Sequence, residues 1–183
     1  MICAMLACEQ QGGIGFHGRM PWPKNPIDKQ WFMNHTQGHI MVMGDVTWAH
    51  SSLKHPIAGR ESYVITYEPE RFPKASGVLS GDLHTEILQL SQNNPKCIVW
   101  IIGGADIISQ TMNIIDWFFL SKIQGSWPCD KFLPINQLHT WSVVWSAKCP
   151  DVHFQILQNP KNNKNECDIL TFPSVAESIA NIL

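Results

Sequence analysis

Cys97-Ile98-Val99-Trp100-Ile101-Ile102 runs without a polar break into Gly103-Gly104. An unbroken apolar run closed by glycines is the pattern of a strand covered on both faces of a sheet. Working outward, residues 2 to 8 form a similar buried strand ended by Gln10-Gln11-Gly12-Gly13. Ile40-Met41-Val42-Met43 is a third such run, broken by Gly44, and Ser62-Tyr63-Val64-Ile65-Thr66 follows the Gly59-Arg60 turn. Between these strands, residues 26 to 36 have helical spacing: Pro26 suits a first turn, and Ile27, Trp31 and the Phe32 to His35 region recur on one side. Leu83 to Leu90 is a second helix with Asp82 as its cap, and Thr47-Trp48 opens a short one. Alternation of strand and helix predicts a parallel sheet. Trp117 to Ile123 adds a strand, and residues 141 to 146 with 153 to 157 make a closing antiparallel pair. The predicted fold is therefore α/β: a central, mostly parallel twisted sheet with a C-terminal antiparallel hairpin and helices on both faces, without internal repeats.

With 183 residues, the chain is long enough for one domain with a sizeable core. Lys plus Arg number 13 against 15 Asp plus Glu, a formal charge of −2 that supplies no basic field for nucleic acid. Cysteines at 3, 8, 97, 129, 149 and 167 form no Cys-x-x-Cys pair and no zinc pattern with histidine, so free buried thiols are expected and no metal. The apolar start, residues 1 to 8, has no basic leader and soon meets Glu9 and a glycine turn, which argues against a signal or a membrane span. A reducing, cytoplasmic setting is expected, with no membrane partner. Asn159 to Glu166 is polar and reads as a linker or exposed turn. Ser174 to Glu177 has capping-box spacing, and Val175, Ile179, Ile182 and Leu183 share a helical face. The expected division is a main domain over 1–158 and, over 159–183, a polar linker with a short amphipathic helix. That helix docks on the body or on a second subunit, and a monomer is expected.

Chemistry concentrates between residues 13 and 48. Asp28 stands in the apolar helical pattern, three and four positions before Trp31 and Phe32, with Gly13-Ile14-Gly15, Gly18 and Gly44 in flanking turns. Alone, an acid there is more often a helix-start residue placed favourably near the positive dipole end. Held among Trp31, Phe32 and Met5, its carboxyl would lose water and gain pKa, which suits it to a protonated, nitrogen-rich ring or to relaying a proton. Met20-Pro21-Trp22 taken singly is an ordinary surface turn, and Gly103-Gly104 a plain strand-to-helix turn.

Taken in order and spacing, Gly13-Ile14-Gly15, Met20-Pro21-Trp22, Asp28 with Trp31-Phe32 and Thr36, and Met43-Gly44-Asp45-Val46-Thr47-Trp48 resemble dihydrofolate reductase. Arg60, Gly103-Gly104 and Ser121 extend the resemblance over residues 2 to 157. It implies reduction of 7,8-dihydrofolate to tetrahydrofolate by hydride transfer from NADPH, supplying thymidylate and one-carbon metabolism, in an enzyme that antifolates inhibit. Asp28 would pair with the pterin's 2-amino group and neighbouring ring nitrogen and promote protonation at N5 through water, with Ser121 hydrogen-bonded to it. Met20 and Trp22 would belong to the loop closing over the nicotinamide. Arg60 would grip the substrate's α-carboxylate as a bidentate fork, and Phe32 and Ile57 would line the p-aminobenzoyl slot. Met5, Leu6 and Ile102 complete the implied substrate set. For the cofactor the resemblance implies Ala7, Ile14, Gly15, Met20, Gly44 and Asp45. It adds Thr47 on the pyrophosphate, the pair Gly103 and Gly104 joined by a cis peptide, and Ile102, Ala105, Asp106 and Ile107.

Departures concern the cofactor's 2′-phosphate. Asp45 and Asp106 stand where basic residues are frequent, and Tyr67 replaces a small hydroxyl residue. Two acids facing a phosphate would repel it. Either Lys54, His50, His55 or Arg71 supplies a cation from elsewhere, or NADH is accepted. Lys29 beside Asp28 also departs from the usual apolar residue. Two other functions compete: a reductase of riboflavin synthesis on the same fold, which normally lacks residues matching Asp28 and Arg60, and a non-catalytic structural or binding component.

Overall fold

The computed structural model describes residues 1–50, 55–162 and 164–182. In chain order the strands are β1 (Ile2–Cys8), β2 (Gly13–Gly15), β3 (Ile40–Gly44), β4 (Glu61–Ile65), β5 (Gly77–Leu79), β6 (Val99–Ile101), β7 (Trp117–Ile123), β8 (Lys131–Phe132), β9 (Ser142–Cys149) and β10 (Val152–Gln158). The helices are α1 (Pro26–Thr36), α2 (Asp45–His50), α3 (Leu83–Asn93), α4 (Ala105–Thr111), α5 (Ile135–Leu138), α6 (Glu166–Leu170) and α7 (Pro173–Ala180).

An eight-stranded sheet runs β5-β4-β3-β6-β1-β7-β10-β9. Pairs from β5 to β7 are parallel, whereas β10 is antiparallel to both β7 and β9. Central β1 explains why the chain's apolar runs are continuous: Cys3 faces Trp100 of β6 on one side and Trp117 of β7 on the other. Alternate residues of β7 then feed two cores. Phe118 and Leu120 join Ile87, Ile108 and Leu138 on one face. Trp117 and Phe119 join Trp31, Phe154 and Val175 on the other. Among the described residues no helix is long and apolar enough to cross a membrane.

The α1 boundaries agree with the predicted 26 to 36. Asn25 caps it, its side chain accepting from the Asp28 amide at 3.0 Å, and Pro26 occupies the first turn. Asp82 caps α3 as expected, accepting from the Thr85 amide at 2.9 Å. Other limits moved. The helix placed at Thr47-Trp48 begins at Asp45, directly after β3, and the run 97–102 contributes only Val99–Ile101 to the ladder. Short β2, β5 and β8 had no periodicity to announce them. All the cysteines are free, but only Cys3 and Cys8 are fully buried and Cys167 is exposed.

The segment after β10 is more ordered than its polarity implied. Asn159 is buried and donates to the carbonyls of Met112 at 3.0 Å and Ile115 at 2.8 Å. A capping box does form, between Asn165 and Asp168 at the head of α6. Ser174 caps nothing, because its hydroxyl lies 2.9 Å from His39 Nε2. The Ile98 amide donates to His39 Nδ1 at 3.4 Å, so the proton on Nε2 is the one donated to Ser174. Further along α7, Ser178 Oγ lies 3.1 Å from His35 Nδ1, which donates to the Trp31 carbonyl at 2.8 Å. Val175 and Ile169 are fully buried beneath this seam. The tail helix thus docks on α1 of its own chain.

His35 lies in an aromatic cage, 3.9 Å centroid to centroid from Trp31 and 5.0 Å from Phe119, and its Nε2 has no hydrogen-bond partner. Burial pushes its pKa down to about 4 from the usual value near 6.5. The unfolded chain therefore binds a proton that the folded chain refuses in this window, so stability is full above about pH 6.5 and declines as pH falls through about 4. Urea denaturation between pH 7 and 4 is expected to show this decline, with a slope of up to about 1.4 kcal/mol per pH unit from this group. His35→Gln should flatten the profile in that range, and an unchanged profile would remove His35 from this role.

Candidate active site

Helix α1 and the carboxyl end of β1 bring the substrate-side candidates together. Met5 is buried on the α1 face in the same apolar cluster as Trp22 and Ile57, with Phe32, Ala7 and Ile102 packed against its edge. The next residue, Leu6, turns to the opposite face with Ile14 and Ile107. This cleft therefore straddles the end of the sheet, drawing residues from both faces.

Asp28 projects into it from the first turn of α1 and is partly buried. Desolvation pushes its carboxyl above the ordinary range, and a hydrogen bond from the Ser121 hydroxyl pulls it part of the way back. Ser121 itself is 1% exposed, on β7 directly opposite Ala7 of β1. Trp31 is buried, stacked on Trp145 at 5.3 Å and 9° and on Phe154 at 4.7 Å. That clamp fixes the rotation of α1 and hence the direction of Asp28. Lys29 is exposed and outside the apolar cluster.

Arg60 is held at the other end of the same helix. Its Nε donates to Thr36 Oγ1 at 3.1 Å, Nη1 donates to the Ala58 carbonyl at 2.7 Å, and Nη2 donates to the Met33 carbonyl. Thr36 in turn donates to the Phe32 carbonyl at 2.8 Å. A guanidinium carries five N–H groups in a rigid fork, so each terminal nitrogen keeps one hydrogen for an anion. Partial burial lowers the Arg60 pKa somewhat without threatening its charge.

Across the sheet end lies a glycine cradle. The Gly103–Gly104 peptide is cis, and the Gly103 carbonyl accepts from the Gly44 amide at 2.9 Å. A Cβ on Gly103 would stand 3.1 Å from Leu6 Cδ2, and one on either Gly103 or Gly104 would stand 4.0 Å from the Thr47 hydroxyl. A Cβ on Gly44 would meet Ile107 Cδ1 at 2.8 Å. Leu6, Gly44, Thr47, Gly103, Gly104 and Ile107 are thereby brought into one place, with Ala105 starting α4 just behind. Thr47 is the third residue of α2 and not its first.

Loop 16–24 is the least enclosed part. Phe16 and Arg19 exchange main-chain hydrogen bonds at 2.8 and 3.1 Å, with Gly15 paired to Lys131 through β2 and β8. Trp22 is 7% exposed, whereas Met20 is 49% exposed. The loop is thus anchored on either side of Met20, which is itself open.

Asp45 heads α2, its Oδ1 accepting from the Val46 amide at 2.7 Å. Asp106 is exposed and 3.8 Å from Lys131 Nζ. Of the proposed alternative cations, Arg71 is tied to Glu68, and His55 stacks on Trp48 at 5.3 Å with its pKa lowered by burial. Lys54 and the His50 side chain lie outside the described residues. Missed by sequence reasoning were Asn25 as the cap that orients Asp28, and a cavity of about 430 Å³ beyond Ile107, lined by Thr66, Tyr67, Leu79, Ser80 and Asp82. An Asn-Pro pair before a helical pattern signals the first; the second is made by strands adjacent only in space.

Such a cleft, at the carboxyl ends of a parallel sheet with one partly buried acid and a glycine pair, and with an arginine held at the far end of α1, is a ligand site of the dinucleotide-dependent α/β kind. A sequence model of dihydrofolate reductase matches residues 1–159, and the chain belongs to the dihydrofolate reductase family. A dihydrofolate reductase of Bacillus subtilis (strain 168) is 26% identical over 168 residues, covering 92% of this chain and 90% of its own. A viral dihydrofolate reductase of Saimiriine herpesvirus 2 (strain 488) is 26% identical over 195 residues, covering 99% and 86%. Among solved structures, dihydrofolate reductase from Enterococcus faecalis complexed with NADP(H) and RAB-propyl superposes with a TM-score of 0.73 at 20% identity, covering 87% of this chain and 96% of that one.

Thr36→Val keeps the shape of the side chain and removes both the acceptor of Arg60 Nε and the donor to Phe32. A lost hydrogen bond to a charged group is expected to lower stability by about 1.5–3 kcal/mol. The urea midpoint should fall at constant m, and no fall would show that Arg60 is not held through Thr36.

Proposed function

We propose that this chain reduces 7,8-dihydrofolate to 5,6,7,8-tetrahydrofolate with NADPH, and that the tetrahydrofolate serves thymidylate and one-carbon metabolism. The observation that carries the reading is the placement of Asp28 in the first turn of α1, at the edge of the apolar cluster of Met5 and Phe32 and beside the buried Ser121, where its carboxyl is desolvated. A carboxyl of raised pKa is suited to hold the pterin's amino and ring nitrogens and to favour the protonated state at N5. Ser121 orients that carboxyl and offers its oxygen to a water on the pterin side. Met5, Leu6 and Ile102 form the apolar bed for the ring, and Phe32 and Ile57 the slot for the benzoyl group. Arg60, with one free N–H on each terminal nitrogen, takes the α-carboxylate as a fork.

The cradle residues fit a dinucleotide, because Gly44, Gly103 and Gly104 leave no Cβ at the point where the Thr47 hydroxyl converges with Leu6 and Ile107. Ala7, Ile14, Gly15, Gly103, Gly104 and Ala105 would flank the nicotinamide and its ribose, and Thr47 and Gly44 the pyrophosphate. Asp45 and Asp106 would stand near the adenosine end. When bound, the cofactor supplies the hydride that reaches C6 of the substrate. Met20 and Trp22 close the loop over the site and exclude water from it.

Residues 1–158 form the reductase body in this reading, and 159–183 an appended segment that braces α1 through His35 and His39. The protein would act as a cytoplasmic monomer on small molecules, with no nucleic-acid partner.

Asp28→Asn is expected to fold and to bind NADPH while losing about 10²–10⁴-fold in turnover near neutral pH, the range for removal of a positioned acid. Because the folded carboxyl has a raised pKa, the charged side chain is a burden to the fold at pH 7, so the same variant should also have a higher urea midpoint. Turnover is followed by loss of nicotinamide absorbance on adding dihydrofolate. Near-normal turnover would remove Asp28 from its central role, and absence of activity in the unaltered protein would overturn the proposed reaction.

A further inference from the structure

The cavity beyond the glycine cradle lies outside the carboxyl ends of β4 and β5, between Ile65–Tyr67 and Leu79–Asp82. Ile107 joins it to the cradle: the residue lines the cavity, and its Cδ1 is 2.8 Å from the place of a Cβ on Gly44. A ligand that passes the Thr47 hydroxyl and the glycines, with its reactive ring near Asp28, continues into this space. Ligands of open α/β sheets collect at such strand ends, and the volume suits a nucleoside. This placement rests on the function proposed above.

The charges around the cavity are of the wrong sign for a phosphate. Asp82 and Glu86 stand in its wall, and neither Lys nor Arg is among its described lining residues. Both acids are fixed: Asp82 Oδ1 accepts from the Thr85 amide and hydroxyl at 2.9 and 2.6 Å, and Glu86 Oε2 accepts from the Gly81 amide at 3.0 Å. His84 Nε2 donates to the Gln110 carbonyl at 2.6 Å. In the loop that continues from Tyr67, Arg71 is paired with Glu68, with Asp45 and Glu70 close enough to act on its charge. Lys131 is paired with Asp106 at 3.8 Å. A ribose phosphate brings roughly two further negative charges at neutral pH and would have to displace an acid from Arg71 or Lys131. A free 2′-hydroxyl, in contrast, is a donor that a carboxylate accepts.

We infer that the adenosine end of this site does not select for the 2′-phosphate, so that the chain binds and uses NADH alongside NADPH. Asp45, Glu68 and Arg71 are the residues that set the balance, Glu68 by pairing with the arginine and Asp45 by adding a negative charge beside the cradle.

Quenching of the intrinsic fluorescence of the 8 tryptophans measures binding without turnover. The protein is titrated with NADPH, NADH, adenosine 2′,5′-bisphosphate and 5′-AMP at low salt, where exposed charges act most strongly. NADH is expected to bind within about tenfold of NADPH, a difference of no more than about 1.4 kcal/mol, and the bisphosphate no tighter than AMP. Glu68→Gln should free Arg71 and tighten NADPH at least fivefold while leaving NADH unmoved. A preference for NADPH above tenfold in the unaltered protein overturns the inference. So does an Arg71→Ala variant that loses NADPH but keeps NADH, because the arginine would then already serve the phosphate. If neither dinucleotide binds, the reductase reading falls and takes this inference with it; if both bind but differ widely, only the inference falls.

Discussion

Burial of one carboxyl, that of Asp28, is the constraint around which the site is arranged. A charged acid at the edge of an apolar cluster is unfavourable unless something holds it there. The holding is done at three points on one helix. Asn25 caps the first turn at the Asp28 amide, Trp31 is clamped between Trp145 and Phe154 in the middle, and Thr36 ties the last turn to Arg60. Helix α1 therefore has little freedom to rotate its acid into water. The tail helix adds a fourth hold through Ser178 and His35.

The two lips of the cleft use different physics. On the α1 side, position comes from packed aromatic side chains and a small number of hydrogen bonds to buried groups. On the opposite side it comes from missing side chains, since a Cβ on Gly44 would stand 2.8 Å from Ile107 Cδ1 and one on Gly103 3.1 Å from Leu6 Cδ2. Side chains supply the acid and the arginine, and bare backbone supplies the approach of a flat ligand.

The parallel core was legible because a strand buried on both faces leaves an unbroken apolar run, as at 2–8 and 97–102. Helix α1 was legible from Pro26 and its spacing. Asp28, Arg60, Ser121 and the glycine pair were legible through order and spacing; Asp28, Ser121 and the glycines lie toward the carboxyl ends of the strands, and Arg60 at the far end of α1, ahead of β4. What escaped was formed by tertiary contact. Two- and three-residue strands such as β8 and β5 carry too little pattern to be seen. Asn159, in a run of polar residues, is buried because the carbonyls of Met112 and Ile115 need a donor. Ser174 has cap spacing yet serves His39, and the cap forms at Asn165 instead. The charge surroundings of Arg71 likewise follow from the meeting of α2 with the loop after β4, which sequence order does not display.

The account stands most directly on the state of the Asp28 carboxyl in the folded protein. Carbon-13 labelling of aspartate side chains, with Asp28 assigned by its absence in Asp28→Asn, allows its titration to be followed by NMR. A midpoint above the ordinary aspartate value of about 3.9 is the expected result, with a further rise in Ser121→Ala as the stabilising hydroxyl is lost. A midpoint at or below that value would mean that the carboxyl is hydrated or ion-paired, and would contradict the claim that desolvation tunes this acid for its work.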